Sequence, residues 1–461
     1  MSEGMKAVTS ELGLTFIGLA IIAVTVGILI RGRTNPVVAM TLIPVTGALL
    51  AGFSIPEIGD FFGEGLESVM NVVVMFIFAI IYFGIMQDAG LFTPIIERLI
   101  RMTRGHVVLV TLGTAAIAVI AHLDGAGAST FLITIPALLP LYKALNISRY
   151  ILLAIVVLSA SVMNMVPWAG PVGRAATVID TTPDEIWREL LPIQGLSLVM
   201  VFAIAALLGY QEMRRIAKLQ ASGDFRGSAS VDVHKVADDF VARERQQRLD
   251  DGVVRRDATW VTIVNVALTV VVIAMLVSGI IGPAPVFLIA TSLALVVNFP
   301  TAENQSDTLK RHAPSALSMA GVLLAAAMFL GVLNASGMLE AIAVTLVGVL
   351  PAALGPYVHI IVGLFGVPLD LLTSTDAYYF SILPVVEQTA GTFEVSAMGV
   401  AVALIIGNII GTFFSPFSPA LWLGIGLAEA NMGKHIRVTF PIAWAFSALM
   451  VLAAWALGML I

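Results

Sequence analysis

Residues 107–145 read VVLVTLGTAAIAVIAHLDGAGASTFLITIPALLPLYKAL, two apolar arms joined by a polar, glycine-rich segment at 122–130. The first arm, 107–121, would be roughly 22 Å long as a helix. A helix needs roughly 30 Å to cross the hydrocarbon layer. Non-helical backbone is tolerated at membrane depth only where it is buried in protein or lines a polar cavity. The stretch therefore predicts a re-entrant hairpin, with two full spans joined by an ordinary capped turn as the alternative.

The rest of the chain has the composition of a membrane protein. Of its 461 residues, 59% are hydrophobic and 12% are charged, and the mean hydropathy is +0.98. Apolar segments occur near 12–30, 36–53, 68–87, 107–122, 129–142, 149–166, 190–210, 259–281, 283–299, 315–335, 355–369, 377–386, 396–413 and 436–461. The sequence predicts an all-α polytopic protein of the plasma (inner) membrane. It has no cysteine, which excludes thiol chemistry, and neither HExxH nor GxSxG, so no enzyme is predicted.

A repeat relates the two halves of the chain. YFGIMQDAGLFTPIIERLI (82–100) aligns with FLGVLNASGMLEAIAVTLV (329–347) at an offset of 247. The hairpin at 107–145 has a counterpart at 355–390, whose turn reads DLLTSTD (370–376). Repeats of opposite orientation that meet at the binding site are common in secondary transporters. We predict two inverted repeats of about five transmembrane helices, each with one re-entrant hairpin and one broken helix.

The basic residues predict the orientation and the domains. Lys and Arg concentrate in loops 31–33, 98–106, 143–149, 310–312 and 434–437, and the segment 211–258 mixes ten basic with nine acidic residues. Because cytoplasmic loops are enriched in Lys and Arg, we expect these segments inside and both termini outside, with Arg188 as the one exception. The start, with only Lys6 before the first apolar segment, is not typical of a signal peptide. The predicted domains are a first transmembrane repeat (1–210), a cytoplasmic linker (211–258) and a second transmembrane repeat (259–461).

Paired prolines interrupt one helix in each repeat, within NMVPWAGP (164–171) and SPFSP (415–419). Proline lacks a backbone N–H and clashes with the preceding turn, so both segments are predicted to be unwound. Arg174 follows the first break, and a charge at the bilayer centre costs about 2.5–3.5 kcal/mol or more. We predict that Arg174 faces a cavity and an anion, with a location near the outer interface as the alternative.

Three carboxylates lie at the predicted hairpin tips, Asp124 in the first and Asp370 and Asp376 in the second. They would repel a carboxylate substrate. We therefore predict that they carry a proton or bind a hard cation that travels with the anion, with helix capping as the alternative. His122 is a candidate proton relay, with a hydrogen-bonded structural histidine as the alternative.

The hairpin and break segments are HLDGAGASTFLITIPALLPLYKAL (122–145), SASVMNMVPWAGPVGRAATV (159–178) and LDLLTSTDAYYFSILPVVEQTAG (369–391). They resemble the citrate–metal:proton symporter family of the ion transporter superfamily. A fourth segment, SPFSPALWLGIGLAEANMGKH (415–435), is similar to the family pattern but departs from it at residues 420–422, which leaves the substrate open. The resemblance implies proton-driven uptake of citrate chelated to a divalent metal such as Mg²⁺ or Ca²⁺ (ferric citrate in some members). It also implies a homodimer with an elevator mechanism.

The resemblance and the two breaks together indicate the candidate site. The expected substrate-binding residues are Asp124, Gly125, Gly127, Ser129, Thr130, Asn164, Trp168, Gly170, Pro171, Arg174, Thr373, Ser374, Thr375, Ser415 and Ser418. Asp124, Asp370 or Asp376 is expected to bind the metal or the proton.

The predicted function is proton-coupled symport of citrate complexed with a divalent metal, or of a related di- or tricarboxylate. A sodium-coupled dicarboxylate carrier of the same superfamily is the main alternative, and an intramembrane enzyme or a passive channel are the others. The expected partners are the carboxylate, the co-transported metal ion, protons, the lipid bilayer and a second copy of the chain. We expect no resident cofactor and no nucleic acid.

Overall fold

The computed structural model describes residues 11–31, 34–222, 232–256, 258–351, 353–416 and 418–460. Every regular element in these ranges is helical, and eight helices among the described residues are long and apolar enough to cross a membrane. The prediction of an all-α, multi-pass membrane protein is confirmed. The predictions that concern Lys6, Arg33 and the linker centre at 223–231 lie outside the described residues.

The first half places its hairpin between long helices. Its helices are α1 (Glu11–Arg31), α2 (Pro36–Leu50), α3 (Ile55–Asp88), α4 (Thr93–Met102), α5 (Val107–Ala121), α6 (Gly127–Ala144), α7 (Arg149–Met163), α8 (Gly170–Val178) and α9 (Pro183–Ser222). Helices α5 and α6, joined by a 3-10 turn at His122–Asp124, form the first hairpin. The gap between α7 and α8, residues 164–169, is the first break.

The second half follows the same order after the linker helix α10 (Val233–Asp250). Its helices are α11 (Thr259–Ser278), α12 (Pro283–Asn298), α13 (Ala302–Ala335), α14 (Met338–Val349), α15 (Val358–Leu364), α16 (Gly366–Asp370), α17 (Thr375–Ala377), α18 (Leu383–Gly391), α19 (Ala397–Asn408), α20 (Gly411–Phe414), α21 (Pro419–Leu427) and α22 (Met432–Ala456). Helices α15 to α18 form the second hairpin, which includes a π-helical turn at Tyr378–Ile382. Residues 415–418 form the second break.

Helices α3 and α13 form the longest contact of the fold, and we refer to them as the scaffold pair. Both have 34 residues, and they begin 247 residues apart. A Cβ added to Gly65 would lie 2.0 Å from the carbonyl oxygen of Ala327, and one added to Gly331 would lie 2.1 Å from that of Phe61. Glycine is therefore required at both positions of this antiparallel crossing.

Two helices at the centre of the fold hold both hairpins. Every residue is buried from 152 to the end of α7 and from 399 to the end of α19. Helix α7 packs against α5 and α6, and α19 packs against α15 and α18. The scaffold pair contacts α8, while α3 also contacts the turn at His122–Asp124. The tip of the first hairpin and the first break therefore meet the scaffold pair along one surface.

Several helices are longer than the apolar segments that predicted them. Helix α3 begins at Ile55 instead of near 68, and α13 begins at Ala302 instead of near 315. The start of α3 is fixed by a capping box, in which the Ser54 N–H donates to Oε2 of Glu57 at 2.7 Å. Helix α9 continues to Ser222, so the predicted domain boundary at 210 falls inside a helix. Hydropathy therefore predicts which part of a helix is apolar enough to lie in the membrane, whereas the residue at which the helix begins or ends depends on capping.

The predicted linker contains a docked helix. Helix α10 contacts both α4 and α6, and its side chains Val233, Ala237 and Phe240 are buried. At its exposed edge, Arg101 of α4 forms an ion pair with Asp238 at 2.6 Å. The linker therefore packs on the first hairpin, and its cytoplasmic location remains a prediction.

Candidate functional site

The tip of the first hairpin is a tight turn that packs on the first break. Helix α5 ends at Ala121, the 3-10 turn follows, and Gly125 adopts a left-handed conformation with φ of +71°. A Cβ at Gly125 would also lie 3.1 Å from the Trp168 carbonyl oxygen and from its ring. The Trp168 indole N–H donates to the Leu123 carbonyl at 2.8 Å. Glycine thus allows the turn and the close approach of Trp168.

His122 and Asn164 join the first tip to the first break. Asn164 follows the last residue of α7, and its Oδ1 lies 3.3 Å from Nε2 of His122. The other ring nitrogen, Nδ1, lies 2.7 Å from Oγ1 of Thr130. His122 is fully buried and both of its nitrogens have partners. These contacts match the structural alternative for His122.

Asp124 is held by donors of its own hairpin. Its Oδ1 accepts the Ala126 N–H at 2.9 Å, and its Oδ2 accepts the Ser129 hydroxyl. Only 9% of the residue is exposed, on the side that faces the cavity described below. The carboxylate therefore has a fixed orientation at the start of α6.

The tip of the second hairpin buries Asp370 completely. Its Oδ1 accepts the Asn408 side-chain N–H at 2.9 Å, and its backbone carbonyl accepts the Ser415 hydroxyl at 2.6 Å. Within the described part of the chain, Oδ2 of Asp370 and Oδ1 of Asn408 have no hydrogen-bond partner. In this half Ser415 therefore joins the tip to the break, and Asn408 joins the tip to the end of α19. Among the described residues, two buried oxygens of Asp370 and Asn408 are left to receive a proton or a cation.

Arg174 connects the first break to the second tip. It lies on α8, and its Nε and Nη2 atoms are each 2.7 Å from Oδ1 of Asp376. The side chains of Arg174 and Asp376 are 13% and 15% exposed. Ser374 caps the short helix that carries Asp376 by accepting the Ala377 N–H at 3.2 Å. The pair joins the two halves in a mostly buried environment.

A cavity of about 270 Å³ opens between these elements. One wall consists of the first tip and the first break, with Asp124 and Arg174 as its charged groups. The opposite wall belongs to the scaffold pair. The cavity as a whole is lined by Phe76, Ile80, Asp124, Gly125, Ala126, Gly127, Asn164, Trp168, Gly170, Pro171, Arg174, Ser315, Met319, Thr412 and Phe413. The cavity therefore combines one guanidinium and one carboxylate with apolar walls.

Eight of the predicted site residues line this cavity, namely Asp124, Gly125, Gly127, Asn164, Trp168, Gly170, Pro171 and Arg174. Ser129 and Thr130 do not line the cavity, but Ser129 is hydrogen-bonded to Asp124 and Thr130 to His122. Ser415 bonds to the Asp370 backbone, and Thr373 donates to the Leu369 carbonyl at 3.0 Å. Ser374, Thr375 and Ser418 lie at helix starts and are not among the residues that line the cavity. The second tip is connected to the cavity by Asp376, which accepts a hydrogen bond from Arg174.

The scaffold wall of the cavity was missed by sequence reasoning. Phe76 and Ile80 of α3 and Met319 of α13 are ordinary apolar residues of long spans, and no local pattern distinguishes them. Ser315 is the exception, since it follows a proline inside α13. Phe413 and Thr412 precede the second break and lay just outside the segment that we singled out.

The arrangement suits a small anion of low net charge. Arg174 is the cation of the cavity, and Asp124 is a second charge of opposite sign. No group of three or more His, Asp or Glu side chains that would hold a metal ion occurs among the described residues. A metal ion bound in the cavity would therefore take most of its ligands from the substrate and from water.

Comparison with known proteins places these features in a family. Residues 5–407 match the model of the family described as citrate transporter. A Bacillus subtilis citrate transporter is 31% identical over 97% of this chain and 99% of its own length. The Bacillus subtilis Mg²⁺/citrate complex secondary transporter is 32% identical over 96% of this chain and 98% of its own length.

Two solved structures have a similar fold. The Alcanivorax borkumensis YdaH transporter gives a TM-score of 0.58 at 14% identity, over 97% of this chain and 98% of that one. Neisseria gonorrhoeae MtrF, from a class of antimetabolite efflux pumps, gives a TM-score of 0.57 at 14% identity, over 89% of this chain and 83% of that one. At this level of identity the likeness is one of fold.

Proposed function

We propose that this chain, which belongs to the citrate transporter family, carries citrate across the membrane as a complex with a divalent metal ion. The observation that carries the proposal is the convergence of Arg174 and Asp124 on one cavity beside two unwound segments. Interrupted helices at the midpoint of repeated halves commonly form the substrate site of secondary transporters.

Arg174 is the proposed carboxylate ligand. Citrate with three charges leaves a net charge of about −1 when it chelates a divalent cation, so one guanidinium suffices as a counter-charge. Arginine binds carboxylates through two parallel hydrogen bonds, and in the present state Asp376 accepts bonds from Arg174 at 2.7 Å. A substrate carboxylate would therefore compete with Asp376 for the guanidinium.

Asp124 is the proposed contact of the metal in the complex. Mg²⁺ prefers carboxylate oxygens and keeps several waters, so one protein carboxylate is enough when citrate supplies other ligands. The Ala126 N–H and the Ser129 hydroxyl hold the Asp124 carboxylate at the cavity edge. A carboxylate in this position would disfavour citrate without a metal by like-charge repulsion.

Asp370 is the proposed coupling residue. It is fully buried, and its Oδ2 has no hydrogen-bond partner among the residues that the structure describes. Ionisable groups inside membrane proteins commonly form proton pathways. The same oxygen and Oδ1 of Asn408 are also suitable ligands for Na⁺, which keeps the sodium-coupled carrier as the second candidate. Replacement of Na⁺ by choline separates the two, since lost uptake in choline would rule out the proton mechanism.

We also propose an elevator mechanism with two inverted repeats. The cavity lies between the scaffold pair and the hairpin tips, where a transport unit would slide past a fixed unit. Equal lengths support the repeat, since α3 and α13 have 34 residues each and α8 and α21 have nine each. Spin labels at Val270→Cys on α11 and Thr392→Cys beyond the second hairpin would test the motion. We expect their distance to change by several ångströms with Mg²⁺–citrate, and an unchanged distance would contradict it.

A homodimer is part of the same proposal. Helix α11 exposes a row of valines, with Val266, Val270 and Val271 at 48%, 60% and 55% exposure. The chain contains no cysteine, so a single cysteine introduced at Val270 would give an unambiguous cross-link between copies. A monomeric mass of the detergent-solubilised protein in light scattering would contradict the dimer.

The decisive experiment for the function is radiolabelled citrate uptake into proteoliposomes. Uptake is measured with Mg²⁺, Ca²⁺, Fe³⁺ or no added metal, each with and without a pH gradient. We expect accumulation that requires a divalent metal and is driven by an inward proton gradient. Equal uptake with and without metal would reject the metal–citrate complex, and a lack of accumulation against a gradient would indicate a passive channel.

A further inference from the structure

A second cavity, separate from the proposed transport site, lies at the end of the first hairpin. Its volume is about 500 Å³, and it shares no lining residue with the smaller cavity. Helices α6, α7, α9 and α22 surround it. The lining residues are Leu139, Tyr142, Lys143, Asn146, Ile147, Ser148, Arg149, Tyr150, Glu212, Arg215 and Lys434. Four cations from four helices thus converge on one space.

The carboxylates nearby balance only part of this charge. Glu212 is buried and is satisfied by Arg215 at 2.8 Å and by the Ser148 N–H at 2.8 Å. Glu429, at the cavity edge, pairs with Lys143 at 2.8 Å and with Arg149 at 3.5 Å. Among the described residues, these four cations and two carboxylates give a net charge of +2.

Lys434 is the cation with the fewest partners. Its ammonium lies 4.7 Å from the centroid of the Tyr150 ring, and it forms no ion pair within the described ranges. The hydrogen bond from Lys143 holds the pKa of Glu429 below its usual range, so this carboxylate stays charged at neutral pH. Protonation of Glu429 therefore does not alter the charge of the cavity under physiological conditions.

Two helix N-termini add to the positive potential. Ser148 caps the 15-residue helix α7 by accepting the Tyr150 N–H, and Asn431 caps the 25-residue helix α22 by accepting the Lys434 N–H. Helix N-termini carry partial positive charge and favour anions. On α9, Arg214, the residue before Arg215, lies 4.4 Å from the ring centroid of Tyr210. Aromatic and basic side chains of this kind are typical of the membrane–water interface.

We propose that this cavity binds a phosphate-type oxyanion, supplied by the headgroup of an anionic phospholipid. Basic pockets between transmembrane helices bind such headgroups, and the cavity is polar, positively charged and located where the apolar segments of α6 and α9 end. The bound phosphate would bridge Lys143 of the first half and Lys434 of the second. The site is separate from the proposed citrate site, since Arg174 and Asp124 do not line it.

The test uses the purified full chain in detergent-free nanodiscs. One set of nanodiscs contains only the zwitterionic lipid phosphatidylcholine, and the others contain increasing fractions of phosphatidylglycerol. Bound lipid is counted by native mass spectrometry, and a parallel arm adds inorganic phosphate to the phosphatidylcholine discs. The test variant is a double variant that carries both Lys143→Ala and Lys434→Ala. Glu429→Gln removes the same ion pair but keeps every cation, and Lys310→Ala removes an exposed lysine elsewhere.

We expect wild type, Glu429→Gln and Lys310→Ala to retain phosphatidylglycerol, and the double variant to lose about thirtyfold in affinity. Binding of inorganic phosphate that the double variant loses would support the same oxyanion site with a soluble source. Wild-type retention of phosphatidylglycerol by the double variant would overturn the proposal. An equal loss in Lys310→Ala would also overturn it, because the attraction would then be non-specific.

Discussion

The guanidinium of Arg174 lies 2.7 Å from Oδ1 of Asp376, although 202 residues separate the two in the chain. Arg174 belongs to the broken helix of the first half, and Asp376 belongs to the hairpin of the second. The pair neutralises a mostly buried positive charge. It also connects the proposed substrate ligand of one half to the hairpin of the other.

Arg174→Ala and Asp376→Asn should therefore act in opposite directions on Mg²⁺–citrate binding. Loss of the guanidinium should weaken affinity by about tenfold to a hundredfold, since charge-assisted hydrogen bonds disappear. Loss of Asp376 should strengthen affinity because the competitor for the Arg174 guanidinium is gone. Isothermal titration of the purified protein measures both, with Arg188→Ala, which pairs with Asp184 outside the cavity, as the matched arginine control. Unchanged affinity in Arg174→Ala would remove it from the site.

Asp370→Asn should uncouple transport from the proton gradient. The amide cannot release a proton, so accumulation driven by a pH gradient should disappear while exchange of internal for external citrate continues. Proteoliposome uptake and counterflow distinguish these activities. Asp307→Asn, at an exposed position paired with Lys310, serves as the control. Normal accumulation by Asp370→Asn would exclude this residue as the proton carrier.

Asp124→Asn should reduce the preference for metal-bound over free citrate. The neutral amide is a weaker ligand for a hard cation and does not repel a free carboxylate. We expect the ratio of the two affinities to fall by about tenfold, measured by titration with Mg²⁺–citrate and with citrate in EDTA. Ser129→Ala removes only a hydrogen-bond donor of Asp124 and should keep most of the preference. A wild-type ratio in Asp124→Asn would favour the capping role.

Single cysteines test the predicted orientation, because the natural chain has none to remove. Gln246→Cys, exposed on the linker helix, should react with a membrane-impermeant maleimide only after lysis of the cells. Thr392→Cys, exposed beyond the second hairpin, should react in intact cells. Labelling of both from the same side would contradict the inverted arrangement of the hairpins.

Gly331→Ala should destabilise the protein more than Gly63→Ala. A methyl group at Gly331 would meet the Phe61 carbonyl oxygen at 2.1 Å, whereas Gly63, on the opposing helix, has open space around its Cβ position. Overpacking of this kind costs about 1–3 kcal/mol. Thermal unfolding in detergent gives the comparison, and equal unfolding temperatures would show that the scaffold pair adjusts without cost.

Local chemistry made the hairpin tips and the breaks predictable. Gly125 and the paired prolines act on their own backbone, so their effects can be derived without knowledge of tertiary contacts. The Arg174–Asp376 pair and the cavity wall at Phe76 and Met319 could not be derived, because they depend on how distant helices pack. The extension of α9 to Ser222 was also hidden, since hydropathy falls where that helix leaves the membrane.

The docking of the linker helix has a mechanical consequence. Helix α10 is attached at two places, to α4 through Arg101 and Asp238 and to the first hairpin through contacts with α6. Any displacement of α6 relative to α4 must break either the 2.6 Å Arg101–Asp238 ion pair or the contacts between α10 and α6. In the second half α14 and α18 contact each other directly. Under the proposed elevator mechanism, movement of the first hairpin would therefore require an additional free energy to break one attachment of its linker helix.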